Sequence, residues 1–309
     1  MRLLACAALA LAACGRLGYD ALSTGEPDAG ASTGVTRVDA SGAPDALAEP
    51  DAGPFAAAMP IAELADPLAA DDDPSLTGDL LEIYFKSDRG SPGDFDIWRA
   101  RRDSPDAAWG PAERVDALSS TAFDATPEVS FDGLVMHVAS ARGGGLGGSD
   151  IWLSTRPSRD DEWGELVHVA ELSSERDEWA AVTDASHTSV VITRSVPDHS
   201  LDLLGASRAS TEPWSAPAPL AHLASEVYEA DGHLDASGLR LHFAGERDGD
   251  RDIYLAARAA PDADFAEPVR LPELSSEGRD EDPWVSPDGR VIVFSSDRTG
   301  DQELYWATR

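Results

Sequence analysis

Cysteine and lysine are the residues this chain has least of. Two cysteines occur in 309 residues and none follows Cys14, which excludes disulfides and thiolate metal sites from the rest of the sequence. Lys86 is the single lysine, and the formal net charge is −33. Nucleic acid is therefore excluded as a partner, because phosphate backbones are bound through clustered cations. Docking of the folded surface on anionic lipid is disfavoured for the same reason.

Long apolar runs and catalytic signature motifs are also missing. The apolar run from Leu3 to Ala13 is too short to cross a bilayer as a helix. We find no His-Glu-x-x-His motif, no Gly-x-Ser-x-Gly motif and no phosphate-binding loop. The sequence therefore offers no ready-made zinc hydrolase, serine hydrolase or nucleotide-binding site.

The amino terminus predicts export and a lipid anchor. Met1 and Arg2 precede the apolar run, which ends in Leu-Ala-Ala-Cys-Gly at Cys14. This arrangement is typical of a bacterial lipoprotein signal, so we expect residues 1–13 to be removed and Cys14 to carry lipid. The alternative is an ordinary secretory signal with a chance cysteine. Gly15, in place of an aspartate, favours the outer membrane of the cell envelope, with the protein facing the periplasm or the exterior.

Residues 14–57 differ in composition from everything that follows. Alanine, glycine, serine, proline, threonine and aspartate dominate this stretch. Such a segment buries too little apolar surface to offset the entropy of ordering it. We therefore predict a disordered tether between the lipid and a folded domain.

The remaining residues, 58–309, contain a five-fold internal repeat of 51 to 54 residues. A leucine opens each unit: Leu64, Leu118, Leu172, Leu223 and Leu274. A large apolar residue after an acidic or polar segment recurs at Trp98, Trp152, Leu203, Tyr254 and Tyr305. A second aromatic follows eleven residues later, at Trp109, Trp163, Trp214 and Phe265. Repeats of this length built from short strands are typical of a β-propeller.

One unit shows how the strands divide. In the last repeat a short strand precedes the turn Pro287–Arg290, an apolar run follows to Phe294, and a third strand begins near Glu303. Earlier units add a fourth strand, so each is a four-stranded antiparallel blade. The last unit lacks its fourth strand, and residues 58–64 match the missing pattern. We predict an all-β, five-bladed propeller closed by pairing of residues 58–64 with residues 302–308.

The hairpin turn after the first strand of each unit needs a residue that tolerates positive φ. Glycine occupies this place in three units, His187 in the third and Leu80 in the first. Histidine tolerates this conformation better than most residues, whereas leucine does not. We therefore expect a different turn in the first blade.

The repeat resembles the TolB-type, WD40-like (PD40-type) propeller repeat of bacterial envelope proteins. The resemblance rests on Ser-Pro-Asp-Gly-Arg at 286–290 with Phe-Ser-Ser-Asp-Arg at 294–298, and on Phe-Lys-Ser-Asp-Arg at 85–89. It covers 58–309 and implies the fold. TolB proteins carry six blades and an additional α/β domain that this sequence lacks, so their adaptor role is not implied.

Two sets of charged residues recur once per unit. The first set pairs an arginine with an acid across the second hairpin, and we predict that the pairs stabilise each blade: Arg89–Asp96, Arg142–Asp150, Arg247–Asp252 and Arg298–Glu303. The third unit lacks an arginine at this offset, because Arg194 is displaced.

The second set precedes the innermost strand of each unit: Asp71, Asp124, Glu178, Glu229 and Asp280. Five carboxylates at the channel mouth would form a ring that binds a cation or a basic ligand. Calcium suits an all-oxygen ligand set better than zinc. The alternative is structural, with each carboxylate capping loop amides.

From these features we predict a monomeric, non-catalytic lipoprotein whose propeller is a binding scaffold for an envelope protein, a peptide or a glycan. A membrane is reached only through the lipid. The alternative is a carbohydrate-active hydrolase that uses carboxylates at the channel mouth.

Overall fold

The computed structural model describes residues 53–197 and 201–309, and all regular structure within them is β. The strands before and in blade 1 are β1 (Met59–Pro60), β2 (Asp71–Leu76), β3 (Glu82–Ser87), β4 (Asp96–Arg101) and β5 (Glu113–Arg114). Those of blade 2 are β6 (Asp124–Val129), β7 (Val135–Ser140), β8 (Asp150–Thr155) and β9 (Val167–His168). In these residues no helix is long and apolar enough to cross a membrane.

The other three blades repeat the same order. Blade 3 comprises β10 (Glu178–Thr183), β11 (Ser189–Ser195), β12 (Leu201–Ser207) and β13 (Ala218–Pro219). Blade 4 comprises β14 (Glu229–Leu234), β15 (Arg240–Gly245), β16 (Asp252–Ala257) and β17 (Val269–Arg270). Blade 5 comprises β18 (Asp280–Val285), β19 (Val291–Ser296), β20 (Glu303–Thr308) and the amino-terminal β1. Five four-stranded antiparallel sheets confirm the predicted five-bladed propeller.

The ring closes through its first strand, as predicted. Met59 pairs with Trp306 and Pro60 with Tyr305 in antiparallel register. The ordered chain begins before residue 58, however, because Phe55 is buried and the Ala56 amide donates to the Thr308 carbonyl at 2.7 Å. Residues 55 and 56, which composition assigns to the end of the tether, thus contact blade 5.

Phe55 belongs to a five-fold contact that explains the second aromatic marker. In every blade an arginine at the end of the third strand stacks on the aromatic ring that leads into the outer strand, at 4.1–4.6 Å. The pairs are Arg102–Trp109, Arg156–Trp163, Arg208–Trp214, Arg258–Phe265 and Arg309–Phe55. Each arginine also donates to a turn carbonyl at 2.6–2.8 Å. The contact ties the first hairpin of a blade to its outer strand.

The first-blade turn contradicts the sequence prediction. Leu80 adopts φ 63° and donates its amide to Thr77 O at 2.8 Å, the same turn that Gly133 makes in blade 2. Leu80 packs against the apolar cluster between blades 5 and 1, and this burial stabilises the unfavourable backbone conformation. His187 takes φ 54°, as expected.

Candidate functional site

The five acids predicted as a channel ring are paired inside the blades. Each is at most 1 % exposed and contacts an arginine of its own blade at 2.5–2.7 Å. The pairs are Asp71–Arg89, Asp124–Arg142, Glu178–Arg194, Glu229–Arg247 and Asp280–Arg298. We call these five acids the framework acids. None of them is among the residues that line the cavity at the channel mouth.

The framework acids also cap the loops that precede them. In blades 2 to 5 each carboxylate accepts a backbone N–H from the serine four residues earlier, at 2.6–2.9 Å. The arginines donate to a carbonyl of the same loops, at 2.7–3.2 Å. This geometry matches the loop-capping alternative. In four blades the acceptor is the carbonyl of the leucine that opens the repeat. That position is leucine because its side chain is buried, at most 2 % exposed in all five blades.

The arginine partners predicted from the sequence require correction. Arg89, Arg142, Arg247 and Arg298 bind the framework acid of the inner strand, and not Asp96, Asp150, Asp252 and Glu303. The reason is visible in blade 1, where Ser87 lies opposite both Asp71 and Asp96. Arg89 turns towards Asp71 because the Leu64 carbonyl is also within reach there, at 2.8 Å.

The third-strand acids have other neighbours. Asp96 binds Arg114 at 2.6 Å, and Asp252 binds Arg270 at 3.0 Å. Asp150 accepts backbone amides of the glycine-rich loop, including Gly147 N at 3.0 Å. Arg194 of blade 3, although displaced in sequence, performs the common role because it lies directly opposite Glu178.

Bulges in the inner strands create the surface of the channel mouth. The register shifts directly after the framework acid in β10, and one residue later in β2, β6, β14 and β18. The last four strands share one geometry. The residue two places after that acid has positive φ: Asp73, Thr126, Asp231 and Asp282, at 46–55°. Aspartate tolerates this conformation well. Because of this bulge, the side chains one and two residues after the framework acid can reach the cavity at the channel mouth.

The resulting cavity at the mouth has a volume of about 130 Å³. Five acids line it, and we call them the mouth acids: Asp72, Asp73, Asp231, Glu281 and Asp282. Its other residues are Lys86, Ala125, Thr126, Trp179, Leu201 and Tyr228. The acids all come from the adjoining blades 4, 5 and 1, whereas blades 2 and 3 contribute small, apolar and aromatic side chains. The mouth is therefore asymmetric.

Lys86 neutralises part of this charge. Its ammonium lies 3.1 Å from Asp72 and 3.0 Å from Asp73, and 5.3 Å from the ring centre of Phe95. Burial alone would raise the pKa of Asp72, but the Lys86 charge and a hydrogen bond with Asp282 hold that pKa well below its usual range. The single lysine of the chain is thus committed to the mouth.

Arg251 is the second cation beside the mouth acids. Its guanidinium donates to Glu281 and, at 2.8 Å, to Glu246, and it lies 3.7 Å from the ring centre of Tyr228. The Tyr228 hydroxyl donates to Asp231 at 3.1 Å. Lys86 and Arg251 are therefore held alike, each between carboxylates and an aromatic face.

Burial and like-charge repulsion act on the other mouth acids. Burial and the charge of Asp72 raise the pKa of Asp282 well above its usual range. Burial and the charge of Glu281 raise the pKa of Asp231 to about 8. Asp72, Asp73 and Asp282 each offer an oxygen within a 4.8 Å group that could hold a metal ion. The mouth thus combines ionised and protonated carboxyl groups within a few ångströms.

Below the mouth the channel is closed by rings. Phe131 of blade 2 lies 5.9 Å from His233 of blade 4 and 6.3 Å from Trp284 of blade 5. These blades are not neighbours of blade 2, so the rings meet in the central channel. Glu128 and His233 line a small cavity there, and burial and the charge of Asp73 raise the pKa of Glu128 well above its usual range. The mouth is a blind pocket, as ligand sites commonly are.

The comparisons with known proteins identify the fold. No family model and no curated protein matches the chain. Among solved structures, an α-L-arabinofuranosidase of Podospora anserina determined with cellotriose has TM-score 0.58 at 10 % identity, covering 82 % of this chain and 96 % of that one. A GH62 hydrolase in complex with xylotriose has TM-score 0.58 at 11 % identity, covering 83 % and 97 %.

A structure assigned to TolB from Agrobacterium tumefaciens has TM-score 0.50 at 16 % identity and covers 79 % of each chain. At such low identities these likenesses establish a shared propeller fold alone. The chain is a five-bladed β-propeller with a TolB-like fold, and its function has to be argued from its own site.

Proposed function

We propose that this protein is a non-catalytic binding module of the bacterial cell envelope, and that its acidic channel mouth holds a cationic group of the ligand. The observation that carries the proposal is the charge imbalance. Five acidic side chains line the mouth, whereas two cations contact them: Lys86 pairs with Asp72 and Asp73, and Arg251 pairs with Glu281. An additional positive charge would relieve the repulsion that raises the pKa of Asp231 and Asp282.

The two resident cations indicate the chemistry of the ligand. Lys86 and Arg251 each lie between carboxylates and an aromatic ring. Asp231 and Asp282 share the cavity with Trp179, which offers similar surroundings to a further ammonium or guanidinium group. A lysine or arginine side chain of an envelope protein or peptide fits this description. Calcium is the second choice, because Lys86 already binds two of the three carboxylates that would hold it.

The sequence supports an envelope location. The lipid anchor at Cys14, the tether and the choice of the outer membrane lie outside the residues that the structure describes, and they remain predictions. The monomeric state is likewise a prediction. A glycan partner belongs to the second candidate below.

Titration of the full chain with arginine amide and, separately, with calcium tests the proposal. Ligand binding to the native state alone raises the unfolding midpoint. We expect a saturable rise with arginine amide that Asp231→Asn/Asp282→Asn abolishes. The control is Asp116→Asn/Asp288→Asn, which makes the same two substitutions in acids outside the mouth. A rise with calcium alone would assign a metal site, and no rise with either compound would refute the proposal.

A second candidate, a carbohydrate-active hydrolase, is favoured by the asymmetry of the mouth. Hydrolysis of a glycosidic bond uses one protonated and one ionised carboxyl group. Asp282 and Asp72 have pKa values displaced in these opposite directions. The two carboxyl groups are hydrogen-bonded to each other, however, whereas a hydrolase holds its pair at least about 5 Å apart around the substrate. The binding function is therefore the first choice. Release of shorter sugars from xylotriose or cellotriose, lost in Asp282→Asn and retained in Asp288→Asn, would establish this activity. If the native chain releases no shorter sugars, the hydrolase candidate is refuted and the binding function is retained.

A further inference from the structure

A second cavity lies at the seam between blades 5 and 1, where the ring closes. Its volume is about 350 Å³, within the range of roughly 300–1,000 Å³ that small-ligand sites occupy. Its apolar walls are Leu76, Leu80, Trp109, Val291, Val293 and Trp306. None of these residues lines the channel mouth, so the cavity is a separate feature of the molecule.

The seam between blades 1 and 2 shows one way in which the equivalent space is filled; at the next three seams the strand register puts His137, Ile192 and His242 in the place of Tyr84. There Tyr84, the third residue of β3, projects from blade 1 against Trp163 of blade 2, with ring centres 6.0 Å apart at 73°. The Trp163 indole N–H donates to the Tyr84 hydroxyl at 3.2 Å. Both side chains are buried. An aromatic ring with a hydroxyl group is therefore the native filling of this seam.

The closing seam has the same indole without the phenol. Val293 is the third residue of β19 and so takes the place of Tyr84, while Trp109 takes the place of Trp163. Val291 likewise replaces Glu82, whose carboxylate binds Arg101 and the buried Arg156 in the filled seam. Two valines in place of a tyrosine and a glutamate leave the space open. The cavity therefore lies where the seam between blades 1 and 2 has the phenol ring of Tyr84 and the carboxylate of Glu82.

The surroundings of the cavity are acidic. Glu63 and Asp106 line it and are exposed, and the whole chain has a formal net charge of −33. Arg102 is engaged by the Trp109 ring and the Leu80 carbonyl. Trp306 is 38 % exposed at the opening, where an incoming chain can cover it. Charge complementarity therefore favours a ligand with basic groups beside its aromatic ring.

We propose that the closing seam binds a tyrosine side chain of a partner polypeptide, with basic residues on either side of that tyrosine. The phenol ring takes the position that Tyr84 has in the neighbouring seam, and its hydroxyl accepts a hydrogen bond from the Trp109 indole. The flanking basic residues meet Glu63 and Asp106. This site is independent of the cation site at the mouth, and neither proposal requires the other.

Binding of the phenol ring is tested by adding p-cresol to the full chain. The intrinsic tryptophan fluorescence and the unfolding midpoint report the binding. We expect saturable binding at millimolar p-cresol that is lost in Val293→Tyr, which supplies the phenol internally. Val293→Tyr should also raise the midpoint by about 2–4 °C, because it fills a cavity. Trp109→Phe keeps an aromatic ring without the N–H, so we expect its affinity for p-cresol to fall to that for toluene.

The partner chemistry is tested with three capped peptides, Lys-Tyr-Lys, Glu-Tyr-Glu and Lys-Ala-Lys. We expect the first to bind at least about tenfold more tightly than the second, a preference that Glu63→Gln/Asp106→Asn reduces and added salt screens. Lys-Ala-Lys should not displace p-cresol. Absence of p-cresol binding, or binding that Val293→Tyr leaves intact, would refute the site. Binding of p-cresol but of neither tyrosine peptide would refute a polypeptide partner.

Discussion

The framework acids and the mouth acids lie one or two residues apart on the same strands, yet their environments are opposite. Each framework acid has its own arginine and loop amides, and the arrangement recurs in all five blades. The mouth acids occur in three blades only and share Lys86 and Arg251. The acids that repeat in every blade are thus neutralised and support the fold. The mouth acids do not repeat, and they are available to a ligand.

The largest expected effect comes from breaking a framework pair. Arg142→Ala leaves the Asp124 carboxylate buried without its cation, and the Leu118 carbonyl loses a donor as well. Removing one partner of a buried ion pair costs about 3–5 kcal/mol of unfolding free energy. Urea unfolding of the full chain measures this loss. Asp116→Ala, at a side chain 87 % exposed, is the control and should change stability little. Similar losses in both variants would contradict a framework role.

Removing the mouth cation should have a smaller but still substantial effect. Lys86→Met leaves Asp72 and Asp73 facing each other without the ammonium that now lies about 3 Å from each. We expect a loss of about 2–3 kcal/mol, below that of the framework variant because either carboxyl group can take up a proton instead.

Lys86→Arg provides the matched control for this prediction. It keeps the positive charge, so most of the stability should be retained. Urea unfolding at neutral pH compares the three chains. Equal stability of Lys86→Met and the native chain would show that the mouth acids are already protonated and need no cation.

The framework could be predicted from the sequence because it is repeated. Five copies at constant spacing gave the blade number, the strand order and the closing strand. The pairing partners were wrong, since Ser87 has an acid on each side and spacing alone does not choose between Asp71 and Asp96.

The mouth could not be predicted in the same way, because it departs from the repeat. The relevant signal was present as consecutive acids after two framework acids, at Asp72–Asp73 and Glu281–Asp282. Simple strand alternation would point such neighbours to opposite faces. The bulge with positive φ at Asp73 and Asp282 changes that alternation. Only the folded geometry shows which carboxylates enter the cavity.

Asp231 makes the stability of the mouth depend on pH. The pKa of Asp231 is raised to about 8 by burial and by Glu281, so the folded state holds a proton that the unfolded state loses near pH 3.8. Stability from this proton is present at low pH and declines as pH rises from about 4 to about 8. Asp231→Asn, which also suits positive φ, should therefore equal the native chain in stability at about pH 4 and become progressively more stable than it as pH rises towards about 8.

Thermal unfolding across this pH range provides the measurement. The control is Asp288→Asn, because the pKa of Asp288 is lowered, chiefly by the Ser286 hydroxyl. Its stabilising contribution is present above the ordinary pKa and is lost as pH falls, so the Asp288→Asn curve should diverge from the native one in the opposite direction. A pH profile of Asp231→Asn that runs parallel to the native profile would show that Asp231 is ionised throughout.

The smallest effect tests the repeated turn. His187 has φ 54° where blades 2, 4 and 5 have glycine at 70–76°. His187→Gly relieves the steric cost of the left-handed conformation, and His187→Ala retains that cost while also losing the contact with Thr183 at 3.1 Å. We expect the glycine variant to be more stable than the alanine variant by about 1 kcal/mol. The same two substitutions at Leu80 should both destabilise, because that side chain packs in the seam between blades 5 and 1. A turn position that tolerates glycine in blade 3 and rejects it in blade 1 would show that blade 1 has adapted its turn to the closing seam.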